Sequence, residues 1–232
     1  LVAGQKLSFL LKSLTLGTVG VESFDALPIP FRCVATDIGT GEKVVLSDGS
    51  LAEAIRASMS LPAVFSPVAR GDRLLVDGGL VENLPVAEAE AMGADVVVAV
   101  DVSSDTLDPE KLKSFGGVLS RTISLPIRQN VSVSLPRAGV VVRPRVGDVP
   151  SMDFARAAEL VARGEAAARA LAKELSALSV SEEEYRAFRE RVRGRRPGSP
   201  VVDAIQTVSA GVATRQITSR LETRVGKPLD VS

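Results

Sequence analysis

The stretch RLLVDGGLVENLPV, residues 73–86, carries an apolar run into a single carboxylate, Asp77, followed by a glycine pair. An Asp before Gly-Gly is accounted for by turn formation or by work as a general base. The whole chain contains no histidine. That removes the Ser-His-Asp triad, histidine-based zinc sites and an imidazole base, so acid-base chemistry here falls to a carboxylate, Lys, Tyr or Cys33. A single cysteine also excludes an intrachain disulfide framework and a cysteine-rich metal site. Asp37 and Asp101 likewise end apolar runs and read as turn or capping residues. Cys33 reads as an inert core residue, and Ser58 and Ser60 as helix-end packing, since neither serine sits in an elbow motif. The GTG at 39–41 is followed by a strand rather than a helix and is no dinucleotide fingerprint.

The elements that must position Asp77 follow from periodicity. FRCVATD (31–37) and KVVLS (43–47) read as strands joined by IGTGE, a hairpin. SLAEAIRASMS opens with Ser50 and Glu53, a capping box, and reads as a helix ended by Pro62. RLLVDGG (73–79) reads as a strand, 84–93 as a helix with Pro85 in its first turn, and ADVVVAVDVS (94–103) as a buried strand, suggesting a parallel crossover. The region 107–137 has helical character that Pro126 interrupts or kinks. GVVVRP (139–144) reads as a short strand, the apolar spacing from Phe154 to Leu178 as one long helix capped by Asp153, and SEEEYRAFRERVRG as a capped helix from Ser181.

Composition narrows the classes. The 232 residues suit one α/β domain or a domain with a small appendix. With 28 basic and 28 acidic residues there is no overall field to attract nucleic acid, and seven Phe, one Tyr and no Trp supply few stacking platforms for bases. LSFLLKSLTLGTVGV is interrupted by Lys12 and falls short of the roughly 18 apolar residues of a spanning helix; it reads as a core helix or as an interfacial lipid-contacting segment. The chain opens at Leu1 without Met and is read as a fragment. RGRRPGSP (193–200) reads as a linker, after which the composition changes.

Four motifs in order, LPIPFRCVATDIGTGE, LAEAIRASMSLPAVFSPV, LLVDGGLVENLPV and MGADVVVAVDVS, make residues 27–103 resemble the bacterial patatin-like lipid acyl hydrolases. The likeness extends less sharply through RQNVSVSL and VRPRVGDVPSMDF to about Arg193. The resemblance implies a three-layer α/β/α fold and a Ser-Asp dyad without histidine, with Asp77 as general base. It also implies a supporting turn of Gly78, Gly79 and Asn83, in which the glycines let the nucleophile's loop come close. The implied substrate is a phospholipid or lysophospholipid at a lipid surface, with no cofactor and no metal. The family's nucleophile sits in a G-x-S-x-G elbow preceded by a glycine-rich oxyanion loop, and neither motif occurs here. The resemblance therefore places the N-terminal part of the fold upstream of Leu1 and implies that this chain alone is inactive.

The tail PVVDAIQTVSAGVATRQITSRLETRVGKPLDVS resembles the first half of a POTRA module, with its G-x-P-L-D turn. The division is then 1–193 patatin-like, 194–200 linker and 201–232 a partial α+β POTRA-like appendix, as in autotransporter-like phospholipases. That likeness implies an outer-membrane barrel beyond residue 232 and an outer-membrane or cell-surface location; shorter relatives are cytoplasmic. Two other readings stand beside the hydrolase: a catalytically dead patatin-like scaffold acting in interaction or translocation, and a nucleotide-binding α/β protein, which lacks a glycine fingerprint.

Overall fold

A computed structural model describes residues 4–103, 109–147, 149, 153–196, 201, 203–204 and 225–227. Strands β1 (Cys33–Asp37) and β2 (Lys43–Leu46) form the expected hairpin, with Val34 opposite Val45. β3 (Val68–Arg70) and β4 (Arg73–Asp77) form a second hairpin through Gly71, whose φ of +62° suits a residue without Cβ. β4 also pairs antiparallel with β1, giving one four-stranded sheet in the order β2-β1-β4-β3.

Two helices flank the end of β4, and a third packs against one of them. α1 (Gln5–Leu14) lies against α2 (Leu51–Ser58), whose first turn is capped by Ser50 Oγ accepting from Glu53 N–H. The Glu53 carboxylate faces Lys12 Nζ at 3.9 Å, tying α2 to α1. α3 (Gly79–Glu82) follows Asp77 directly. Phe24, Leu27, Ala35, Leu46, Ala54, Ala57 and Leu75 form the core between the sheet and α2. Small side chains on α2 let the helix approach β1 and β4, so an aliphatic core closes with little aromatic area.

α4 (Val86–Ala91) is shorter than the 84–93 reading, with Gly93 at φ +87° beyond its end. The expected crossover from β4 to the next strand is not formed. β5 (Val98–Val100) pairs instead, in parallel, with β6 (Val140–Val142), and the connection between them contains α5 (Phe115–Ser134). Both neighbours of β4 are already taken by β1 and β3, which leaves β5 no edge there. α5 runs through Pro126 without breaking, at the loss of one N–H donor.

The long helix read across Phe154 to Leu178 is divided. A 3-10 turn at Phe154–Arg156 leads into α6 (Ala157–Ala170), and Leu171, outside helical geometry at ψ +23°, separates it from α7 (Ala172–Ser176). Asp153 makes no side-chain cap. α8 (Glu182–Gly194) has the reciprocal capping box between Ser181 and Glu184. The described residues thus form a mixed α/β structure. Most of the strand read over 201–208, most of the 194–200 linker and the whole helix read over 214–223 lie outside the described residues.

Candidate active site

Asp77 is the last residue of β4, and every backbone polar group around it is engaged. Its N–H donates to Ser60 O at 3.0 Å, and its C=O accepts from Thr36 Oγ1 at 2.8 Å. Gly78 N–H donates to Ser58 O at 3.2 Å. The turn after α2 is therefore stitched to the end of β4, and the carboxylate leaves a fixed point.

One carboxylate oxygen is fixed as well. Asp77 Oδ1 accepts from Gly79 N–H at 2.8 Å, while Oδ2 takes no hydrogen bond among the described residues. Burial pushes the carboxyl above the ordinary aspartate range, and the Gly79 N–H pulls the other way. A half-buried carboxylate with one oxygen held and one open can accept a proton from a hydroxyl brought to it.

The glycine pair serves two different needs. Gly78 has an ordinary right-handed backbone, φ −67° and ψ −20°, so no unusual dihedral demands it. A Cβ there would lie 2.1 Å from Val34 O and 2.5 Å from Val34 C. The close approach at Gly78 is made by the backbone of β1 itself. At Gly79 a Cβ would meet Asn83 Oδ1 at 2.8 Å and Asp77 Oδ1 at 3.0 Å, crowding the carboxylate directly. Asn83 also gives its backbone N–H to Asn130 Oδ1 on α5 at 2.9 Å.

The other candidates are separately occupied. Ser58 Oγ donates to Val34 O at 2.7 Å and Ser60 Oγ to Arg56 O at 2.6 Å. Buried Asp37 accepts from Gly39 N–H and faces Arg73 at 3.9 Å, and buried Asp101 binds Ser103 N–H and Arg143 Nε, each at 2.9 Å. Burial raises the Cys33 thiol to about 11, far from a reactive thiolate.

Arg56 is a residue that sequence reasoning passed over. It is 5% exposed, donates to Ser60 Oγ and to Ser66 O at 3.4 Å, and stacks over Phe65 at 4.8 Å. Through Ser60 it braces the turn that holds the Asp77 N–H. Arg56→Ala is expected to cost about 2–4 kcal/mol, from lost charge-assisted bonds and a buried void. Urea denaturation measures it; a change under about 0.5 kcal/mol would show that the brace is idle. The sequence signal was an arginine on the otherwise small-residue face of α2.

Residues 7–90 match the family model of patatin-like phospholipases. The match runs from within α1 into α4 and includes Asp77 and both glycines. An uncharacterized NTE family protein of Mycobacterium tuberculosis is 39% identical over 93 residues, covering 40% of this chain and 26% of that protein. A second one from the same organism is 32% identical over 184 residues, covering 66% of this chain and 30% of its own length. The lysophospholipase nte1 of Emericella nidulans is 32% identical over 138 residues, 59% of this chain and 9% of that protein. Residues 7–90 are thus similar to patatin-like phospholipases and the chain is similar to NTE-family proteins, and it spans under a third of the length of these relatives.

Proposed function

We propose that this chain supplies Asp77 as the general base of a serine lipid acyl hydrolase of the phospholipase A or lysophospholipase type. The observation that carries the reading is a carboxylate with one oxygen fixed and one open, inside the segment that matches the patatin-like phospholipases. The name of the Emericella relative supports a lysophospholipid as substrate, and the lack of histidine fits a two-residue dyad. With no G-x-S-x-G in these 232 residues, the serine is assigned to polypeptide outside them, which would complete a three-layer α/β/α domain.

In the first half-reaction the serine Oγ attacks the ester carbonyl while Asp77 Oδ2 takes its proton. The tetrahedral intermediate expels the glycerol-side oxygen, which receives that proton, and an acyl-serine remains. In the second, Asp77 Oδ2 takes a proton from water, the hydroxide attacks the acyl ester, and the proton returns to the serine as the fatty acid leaves. The tail's G-x-P-L-D segment supports extending the proposal to a POTRA-like module and an outer-membrane location.

The 232-residue chain is expected to release no fatty acid from lysophosphatidylcholine or phosphatidylcholine and to take no fluorophosphonate label. The same residues joined to an elbow-bearing segment are expected to do both. Labelling and turnover by the chain alone would place the nucleophile within it and overturn the assignment.

A further inference from the structure

Asn130 stands on α5, 51 positions from Gly79 and 47 from Asn83, yet it bonds to both ends of the turn that follows Asp77. Its Nδ2 donates to Gly79 O at 2.8 Å and its Oδ1 accepts Asn83 N–H at 2.9 Å. In an uninterrupted helix those two backbone groups, four residues apart, would bond to each other. The carboxamide of Asn130 is inserted into that rung and satisfies both.

The insertion matters because α3 has only four residues, too few to hold its own geometry. Gly79 is gripped from two directions, its N–H on Asp77 Oδ1 and its C=O under Asn130 Nδ2. Freed from α5, Gly79 could tilt, and with it would go the bond that distinguishes Oδ1 from Oδ2. An asparagine inside a 20-residue helix is also a poor choice for the helix itself. Its cost is offset at the Asp77 turn rather than within α5.

We propose that Asn130 is a positioning residue for Asp77, fixing Gly79 so that its N–H holds Oδ1 and Oδ2 stays open for proton transfer. The proposal rests on the reading of Asp77 as the base, but its test reads the carboxyl group and not turnover, so the two can fail separately. Burial and the Gly79 N–H are the influences on the Asp77 carboxyl, and the nearby Glu82 of α3 is paired with Lys43 at 2.8 Å.

The experiment follows the Asp77 side-chain carboxyl by carbon-13 NMR across a pH series in the 232-residue chain, with amide exchange read at Gly79. In Asn130→Ala the Asp77 midpoint is expected to move upward, because the N–H that favours the ionised form is loosened. Gly79 exchange is expected to speed up by about tenfold or more. Gln129→Ala, an exposed neighbour on the same helix, is expected to change neither. A folded Asn130→Ala protein with the parental midpoint and parental Gly79 exchange would overturn the proposal. Should that variant not fold, the unaltered chain decides: the Asn130 side-chain amide resonances are expected to shift with the Asp77 midpoint, and a flat response would overturn it.

Discussion

Asp77→Asn, in a polypeptide that joins these residues to the elbow serine, is expected to lower kcat by about 10³-fold, within the 10²–10⁴ range of general-base catalysis. Asparagine keeps the shape and can still accept the Gly79 N–H with its carbonyl oxygen. What it loses is the open oxygen that takes the proton, so KM is expected to change far less than kcat. The acid limb of the parental rate profile should be set by Asp77 and fall above the ordinary aspartate value of 3.8, since burial raises it. Steady-state kinetics against pH measure both. A near-parental rate in the variant would exclude Asp77 as the base.

The same carboxylate should burden the fold, and the sign can be worked out. Its folded pKa is raised above the unfolded one, chiefly by burial. A group of this kind contributes stability that is fully present below the unfolded pKa and is lost as pH rises through the folded value. At neutral pH the ionised Asp77 therefore counts against the native state. Asp77→Asn is expected to raise the urea midpoint at pH 7, with the advantage shrinking as the pH falls toward 3.8. Loss of stability at pH 7 would mean that the carboxylate's hydrogen bond outweighs its desolvation.

Asp77 was legible from sequence because an apolar run ending in an acid and two glycines is a local pattern. The β1-β2 hairpin and the Ser181 capping box were legible for the same reason. β3 was not, since three residues are too few to establish alternation. The crossover was misplaced because both edges of β4 are filled by antiparallel partners, a fact of sheet order that no strand displays in its own residues. Leu171 keeps the apolar spacing of a continuous helix while its backbone leaves helical geometry, so periodicity ran past the break between α6 and α7. Asn130 and Arg56 act across contacts that exist only after folding. Asn130 in particular completes a backbone rung belonging to another element, where neither spacing nor propensity points.

Glycine-to-alanine changes at three positions should give three different results. At Gly78 the new methyl would lie 2.1 Å from Val34 O and 2.5 Å from Val34 C, atoms of a central strand paired on both sides. Neither can retreat without breaking the β1 ladder. Overpacking commonly costs about 1–3 kcal/mol; with backbone as the obstacle, about 3–5 kcal/mol is expected, in the range of single changes that disrupt a core. At Gly79 the atoms met are the ends of the Asn83 and Asp77 side chains, which can swing aside. There the loss of stability should be smaller, while Asp77 is displaced and turnover falls. At Gly164, inside α6, nothing lies within 4 Å of the added methyl. Alanine should stabilise there by about 0.5–1 kcal/mol, through helix propensity and a less flexible unfolded chain. Urea denaturation of the three variants orders them as Gly164→Ala above the parent, then Gly79→Ala, then Gly78→Ala. A Gly78→Ala protein within about 0.5 kcal/mol of the parent would mean that β1 and the Asp77 turn are not in van der Waals contact, and the frame that fixes the carboxylate would fall with it.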